Sequence, residues 1–87
     1  MEISQFERLM CLHNMILDGR YPSSQTIQKY FNVSTRTAHR DIHILKNLYK
    51  APLAYDPVKH GFYYTVEGWS LATAADSRAK LLVSLLD

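Results

Sequence analysis

Apolar residues recur along the chain first at helical spacing and then at alternating spacing, and the change falls near Lys50. Phe6, Leu9, Met10, His13, Ile16 and Leu17 form the i, i+3, i+4, i+7 stripe of an amphipathic helix. Ser4, with Glu7 three residues on, suits a capping box at its start. Asp18-Gly19 suits its end, because glycine accepts the left-handed conformation there. Arg20-Tyr21-Pro22 then reads as a connector. A shorter helix follows, capped by Ser23 or Ser24, with Ile27, Tyr30 and Phe31 on its apolar face and Asn32 in the left-handed turn that closes it. Val33 and Ser34 open a third helix. Ser34 is a good N-cap, and Val33 and Ala38 occupy the two positions of a hydrophobic staple. The pattern carries this helix to Leu48, with Ala38, Ile42, Leu45 and Leu48 inward.

Beyond Lys50, Pro52-Leu53-Ala54-Tyr55 and Phe62-Tyr63-Tyr64-Thr65-Val66 are aromatic and β-branched runs around Asp56-Pro57-Val58-Lys59-His60-Gly61, which predicts a β-hairpin with a basic tip. After Trp69, Thr73 and Asp76 suit the start of a last helix with Ala75, Ala79, Leu82, Val83 and Leu86 on one side, ending at Asp87. No internal repeat or low-complexity stretch interrupts the chain. The expected fold class is therefore α+β: a winged helix-turn-helix of three helices and a two-stranded hairpin wing, with an extra C-terminal helix. It divides into a body at 1–71 and a terminal helix at 72–87, read as a dimerisation element or the start of a further effector domain.

Composition narrows the class. With 87 residues, 47% of them hydrophobic and 21% charged, the chain has the make-up of one ordinary globular domain. That size excludes most enzymes, and no apolar run approaches the roughly 20 residues of a membrane span. No basic segment followed by an apolar run opens the sequence, so no signal peptide is expected. A lone cysteine, Cys11, cannot form an internal disulfide; it is read as a small core residue in a reducing, cytoplasmic setting.

The net charge of +2 conceals an asymmetry. Between residues 20 and 60 stand Arg20, Lys29, Arg36, Arg40, Lys46, Lys50 and Lys59 against Asp41 and Asp56, so that segment carries +5 while both ends are mildly acidic. His39, His43 and His60 lie in the same segment. Such a basic centre is the electrostatic footprint of a polyanion partner. On the third helix the outward residues are Thr35, Arg36, His39, Arg40, His43, Lys46 and Asn47, with no acid except Asp41 at the edge of that face, whereas a merely solvated face mixes signs.

Two short helices joined by a tight turn, the second with a basic, hydroxyl-rich outer face, make a helix-turn-helix sized for the DNA major groove. Thr35, Arg36, His39 and Arg40 fall in the first two turns, where such a helix meets base edges; His43, Lys46 and Asn47 lie toward the backbone. Arg36 and Arg40, four residues apart, are the first candidates, because the guanidinium fork matches guanine O6 and N7 together. Ser34 and Thr37 are candidates both as capping groups and as phosphate donors. Asp41 would repel phosphates, so its expected task is to pair with a neighbouring cation and fix that side chain's aim.

The run Val33-Ser34-Thr35-Arg36-Thr37-Ala38-His39-Arg40-Asp41-Ile42 resembles the recognition-helix signature of DeoR-type and WYL-domain bacterial transcription regulators. Gly19-Arg20-Tyr21-Pro22-Ser23 resembles their turn before the second helix, and Ala51-Pro52-Leu53-Ala54-Tyr55-Asp56 with Gly61-Phe62-Tyr63-Tyr64 resembles their wing strands. The resemblance spans residues 3–71. It implies an operator-binding winged helix-turn-helix, with Lys59 and His60 on the wing near a phosphate or the minor groove. Ala38 is smaller than the aliphatic residue of that pattern, and the family continues into a ligand-sensing or dimerising domain where this chain stops. The expected function is a sequence-specific regulator of duplex DNA. Repression is its expected mode, since occupying a promoter needs no further surface, and homodimerisation through the terminal helix or a further domain is expected with it.

Competing readings are weaker. His39-Arg40-Asp41 with Asn47 imitates a kinase catalytic loop, but the asparagine falls one residue late, the motif lies in a helix and no glycine-rich phosphate loop exists. His39 and His43 have a metal-ligand spacing without a third ligand. No catalytic residue, metal or cofactor is expected. His13 reads as a hydrogen-bonded core histidine, and the tyrosines as cross-strand packing rather than stacking platforms for single strands. RNA is disfavoured because the A-form major groove is too narrow for the helix. The rival of a different class is a winged-helix module for protein contacts, assembling through Leu81, Leu82, Leu85 and Leu86 with the basic helix idle.

Overall fold

The computed structural model describes residues 3–86. Helix α1 spans Gln5–Leu17, α2 Ser24–Phe31 and α3 Thr35–His43, the last passing directly into a π-helical segment at Ile44–Leu48. Strands β1 (Leu53–Asp56) and β2 (Gly61–Tyr64) form an antiparallel hairpin with Leu53 opposite Tyr64 and Asp56 opposite Gly61, and α4 spans Leu71–Leu86. The architecture is the α+β winged helix-turn-helix with an added C-terminal helix.

The helix starts follow their capping chemistry. Ser4 and Glu7 satisfy each other's backbone N–H groups in a capping box, and Ser23 does the same with Thr26. Ser34 Oγ accepts from the Thr37 N–H at 3.1 Å. Asn32 closes α2 in the left-handed conformation at φ 52°, leaving a three-residue turn before α3. Gly19, at φ 70°, ends α1 in the same way.

One core gathers Leu9, Leu12 and Ile16 from α1, Ile27 from α2, Ala38 from α3, Leu45 from the π segment, Leu53 from β1 and Leu71 from α4, with Phe62 and Tyr64 of β2 packed against it. Fully burying such an aliphatic side chain is worth about 1.5–3 kcal/mol. Val33 is half-buried against this core beside the buried Ala38, as the staple requires.

Several expectations are corrected. The buried arc of α1 is Leu9, Leu12, His13, Met15 and Ile16, whereas Phe6 and Leu17 are exposed and Met10 is half-buried. The arc is rotated because α1 packs against α3 on one side and β2 on the other. Tyr30 is exposed, its ring edge-on to Phe31. Leu48 is 40% exposed instead of inward. The π turn, closed by the Tyr49 N–H on the Ile44 carbonyl (3.2 Å), adds a residue to that turn, so Tyr49 replaces Leu48 and sets its ring edge-on to Phe6 at 6.2 Å. Strand β2 ends at Tyr64, although Thr65 still donates from its backbone N–H to the Pro52 carbonyl. Helix α4 starts at Leu71, before Thr73 and Asp76; the Ser70 hydroxyl accepts from the Thr73 N–H at 3.3 Å. Its predicted end at Asp87 lies outside the described residues. Cys11 is half-buried.

His13 is buried, with Nδ1 hydrogen-bonded to the Tyr64 hydroxyl at 2.8 Å and its ring edge-on to Trp69. It thereby joins α1 to the wing and to the root of α4. Burial lowers the pKa of His13 and raises that of Tyr64. Since the unfolded histidine titrates near 6.5, folding is opposed by its protonation: this contribution is complete above about pH 6.5 and is lost as pH falls through the lower folded value. Urea titrations at pH 7.5 and 5 should show a larger drop in stability for the wild type than for His13→Gln; equal drops would rule out His13 as the source. Glu7, held below the usual carboxylate range by its hydrogen bonds to Ser4, acts only at lower pH.

Candidate nucleic-acid interface

Thr35, Arg36, His39, Arg40, His43, Lys46 and Asn47 are all exposed along α3 and the π segment, as is Ser34 at its cap. Arg36 and Arg40 stand one turn apart on α3 with full solvent access. Asp41 departs from its expected place at the edge of this face. It is 1% exposed, on the opposite side of α3, where Arg8 of α1 pairs with it at 2.7 Å. Its partner is therefore not a cation of its own helix, and the solvent-facing side of α3 carries no acid.

Local hydrogen bonds orient several candidates. Ser34 Oγ donates to Thr37 Oγ1 at 3.1 Å while capping the helix, so both hydroxyls are engaged in the cap. Thr35 Oγ1 donates to Gln28 Oε1 at 2.9 Å, across the turn from α2. The Asn47 amide donates to the His43 carbonyl (3.0 Å) and lies 3.1 Å from His43 Nδ1.

The wing faces this helix across an open cleft of about 660 Å³. His39, His43 and Lys46 form one wall and His60 the rim opposite. Tyr55 and Phe62, rings edge-on at 5.2 Å, lie along the hairpin side, and Ile42 lines the cleft from α3. Ser23, Ser24 and Gln25, at the start of α2, close one end. Lys59 is not part of this cleft: its ammonium lies over the Tyr21 ring, 4.6 Å from the centroid, on the other side of the hairpin. Asp56 Oδ1 accepts from the Val58 and Lys59 N–H groups and shapes the tip, where His60 takes φ 56°. The fold thus gathers His39, His43, Lys46 and His60 at one cleft and leaves Arg36, Arg40 and Lys59 outside it. Tyr55, Phe62 and Gln25 escaped the sequence reading as site residues, because only the docking of the wing beside α2 brings them there. That docking rests on the Phe62 N–H donating to the Pro22 carbonyl at 2.7 Å.

No group of three or more His, Cys, Asp or Glu among the described residues is placed to hold a metal ion. No helix among them is long and apolar enough to cross a membrane.

A short helix, a three-residue turn, a second helix with a cationic outer face and a hairpin behind it define a winged helix-turn-helix. The profile of a family described as an HTH domain matches residues 8–61, and the chain belongs to that family, as a DNA-binding regulator. No curated protein and no solved structure matches the chain.

Proposed function

We propose that the chain is a sequence-specific reader of duplex DNA that lays α3 in the major groove. Arg36, Arg40, Thr35 and His39 read bases, His43 and Lys46 hold flanking phosphates, and Ser34 and Thr37 support the first turn near the backbone. Lys59 and His60 contact backbone from the wing. The observation that carries this reading is the sorting of charge on one helix: every cation of α3 faces solvent and its one carboxylate faces the core. The run Val33 to Ile42 supports a closer kinship with DeoR-type and WYL-domain regulators. A single module of this size buries about 600–1,000 Å² on DNA, so two copies on an inverted repeat supply useful specificity. The exposed Leu81, Leu82, Val83, Leu85 and Leu86 of α4 offer the surface for that homodimer. It acts in the cytoplasm as a repressor by occupying promoter DNA.

Fluorescence-anisotropy titration of a random-sequence duplex at 50 and 200 mM salt tests the reading. Binding should weaken by about tenfold or more over that interval, the behaviour of several neutralised phosphates. A folded protein that does not bind at the lower salt would leave α4 as the functional surface, in a protein-contact module.

A further inference from the structure

Asp41 is a carboxylate sealed from solvent on the helix that carries the DNA-facing cations, and everything that holds it comes from α1. Arg8 Nε donates to Oδ2 at 2.7 Å, Arg8 Nη2 to Oδ1 at 3.2 Å, and Gln5 Nε2 to Oδ1 at 3.3 Å. Arg8 Nη1 also donates to the Ile3 carbonyl at 3.1 Å, which orients the guanidinium plane. A two-point fork fixes angle as well as distance, as an apolar contact does not. Stability alone is a poor reason for such a pair: desolvating both ions offsets their attraction, and apolar side chains of similar volume often serve as well or better.

A two-point contact between α1 and α3 constrains the rotation of α3 about its axis. Asp41 directly follows Arg40 and lies five residues after Arg36, so the three share one rigid helix. A turn of about 10° sweeps a group at a radius of about 6 Å through about 1 Å. That displacement is enough to spoil a bidentate hydrogen bond to a base edge.

The geometry points to Arg8 and Asp41 as positioning residues for base readout: their fork locks α3 against α1, aims Arg36 and Arg40, and sets selectivity among sequences rather than affinity for DNA as such. This rests on the base-reading role proposed for α3. Gln5 acts as the second donor that keeps Oδ1 in register.

The test starts from a duplex selected by the wild type from a randomised library, with a scrambled duplex of the same length as reference. Wild type, Arg8→Lys, and Arg8→Met combined with Asp41→Leu are titrated against both, and each protein is melted by circular dichroism. The double variant removes the fork without leaving a buried charge unpaired, so it should stay folded. Its affinity for the scrambled duplex should remain within about twofold of wild type, while the ratio of selected to scrambled affinity falls about 5- to 100-fold, the worth of a bidentate base contact. Arg8→Lys keeps the charge and loses the fork, and its ratio should fall as well. Unchanged ratios in both folded variants would overturn the proposal, and so would unfolding of the double variant, which would make the pair a stability element. A wild type that does not itself prefer its selected duplex would instead refute the base-reading role.

Discussion

Alanine at both Arg36 and Arg40 should weaken binding to a wild-type-selected duplex by about 30-fold to 10⁴-fold, since each base-contacting arginine is worth about 1–3 kcal/mol. Both side chains are exposed on α3, so thermal stability should stay nearly unchanged, as exposed substitutions usually shift it by less than about 0.5 kcal/mol. Anisotropy on the selected and a scrambled duplex separates two roles. Loss confined to the selected duplex assigns the arginines to bases; equal loss on both assigns them to phosphates. No loss on either would remove α3 from the interface, and charge reversal at the same positions would then also be tolerated.

The second large effect concerns the wing. A Cβ at Gly61 would lie 1.7 Å from the carbonyl oxygen of Tyr21 and 2.3 Å from its carbon, both of them backbone atoms. No rotamer relieves such an overlap, so Gly61→Ala must part β2 from the α1–α2 connector and break the Phe62–Pro22 bond beside it. The expected cost is about 3 kcal/mol, out of roughly 4–13 kcal/mol for a domain of this length. That corresponds to a melting temperature lower by at least about 10 °C in a circular-dichroism melt. DNA affinity should fall too, because His60 and the cleft floor move with the hairpin. A variant melting like the wild type would show that the wing does not rest on this connector in solution.

What could be read from the sequence, and what could not, divides along the range of the interactions responsible. Ser34 with Thr37, Ser4 with Glu7, and Asn32 in its left-handed turn are settled by neighbours three or four residues away, so local pattern locates the helix starts and the exposed face of α3. Asp41 follows the buried Ala38 by three residues, so its inward position was open to a helical projection. Its partner, 33 residues earlier, was not. Leu48 misled because the π turn slips the helical register by one residue, and periodicity assumes a constant turn. Met15 and Leu12 were missed for a related reason: an apolar stripe identifies one face, and α1 is covered from two directions. The cleft was hidden because Tyr55 and Phe62 look like ordinary strand residues until the Pro22 carbonyl fixes where the hairpin lies.

Helix α4 is rooted in the core at Leu71, next to the Trp69 ring that rests on His13 and Tyr64. Its 16 residues extend about 24 Å from that root. It is therefore a lever with its fulcrum behind the wing: a tilt of about 10° at the root carries the far end about 4 Å, slightly more than the 3.4 Å rise of one base-pair step. Small changes in how the hairpin seats on α1 would thereby be magnified into the distance between the far end of α4 and α3; in the proposed homodimer, Trp69 rather than the leucines would set the spacing of the paired half-sites.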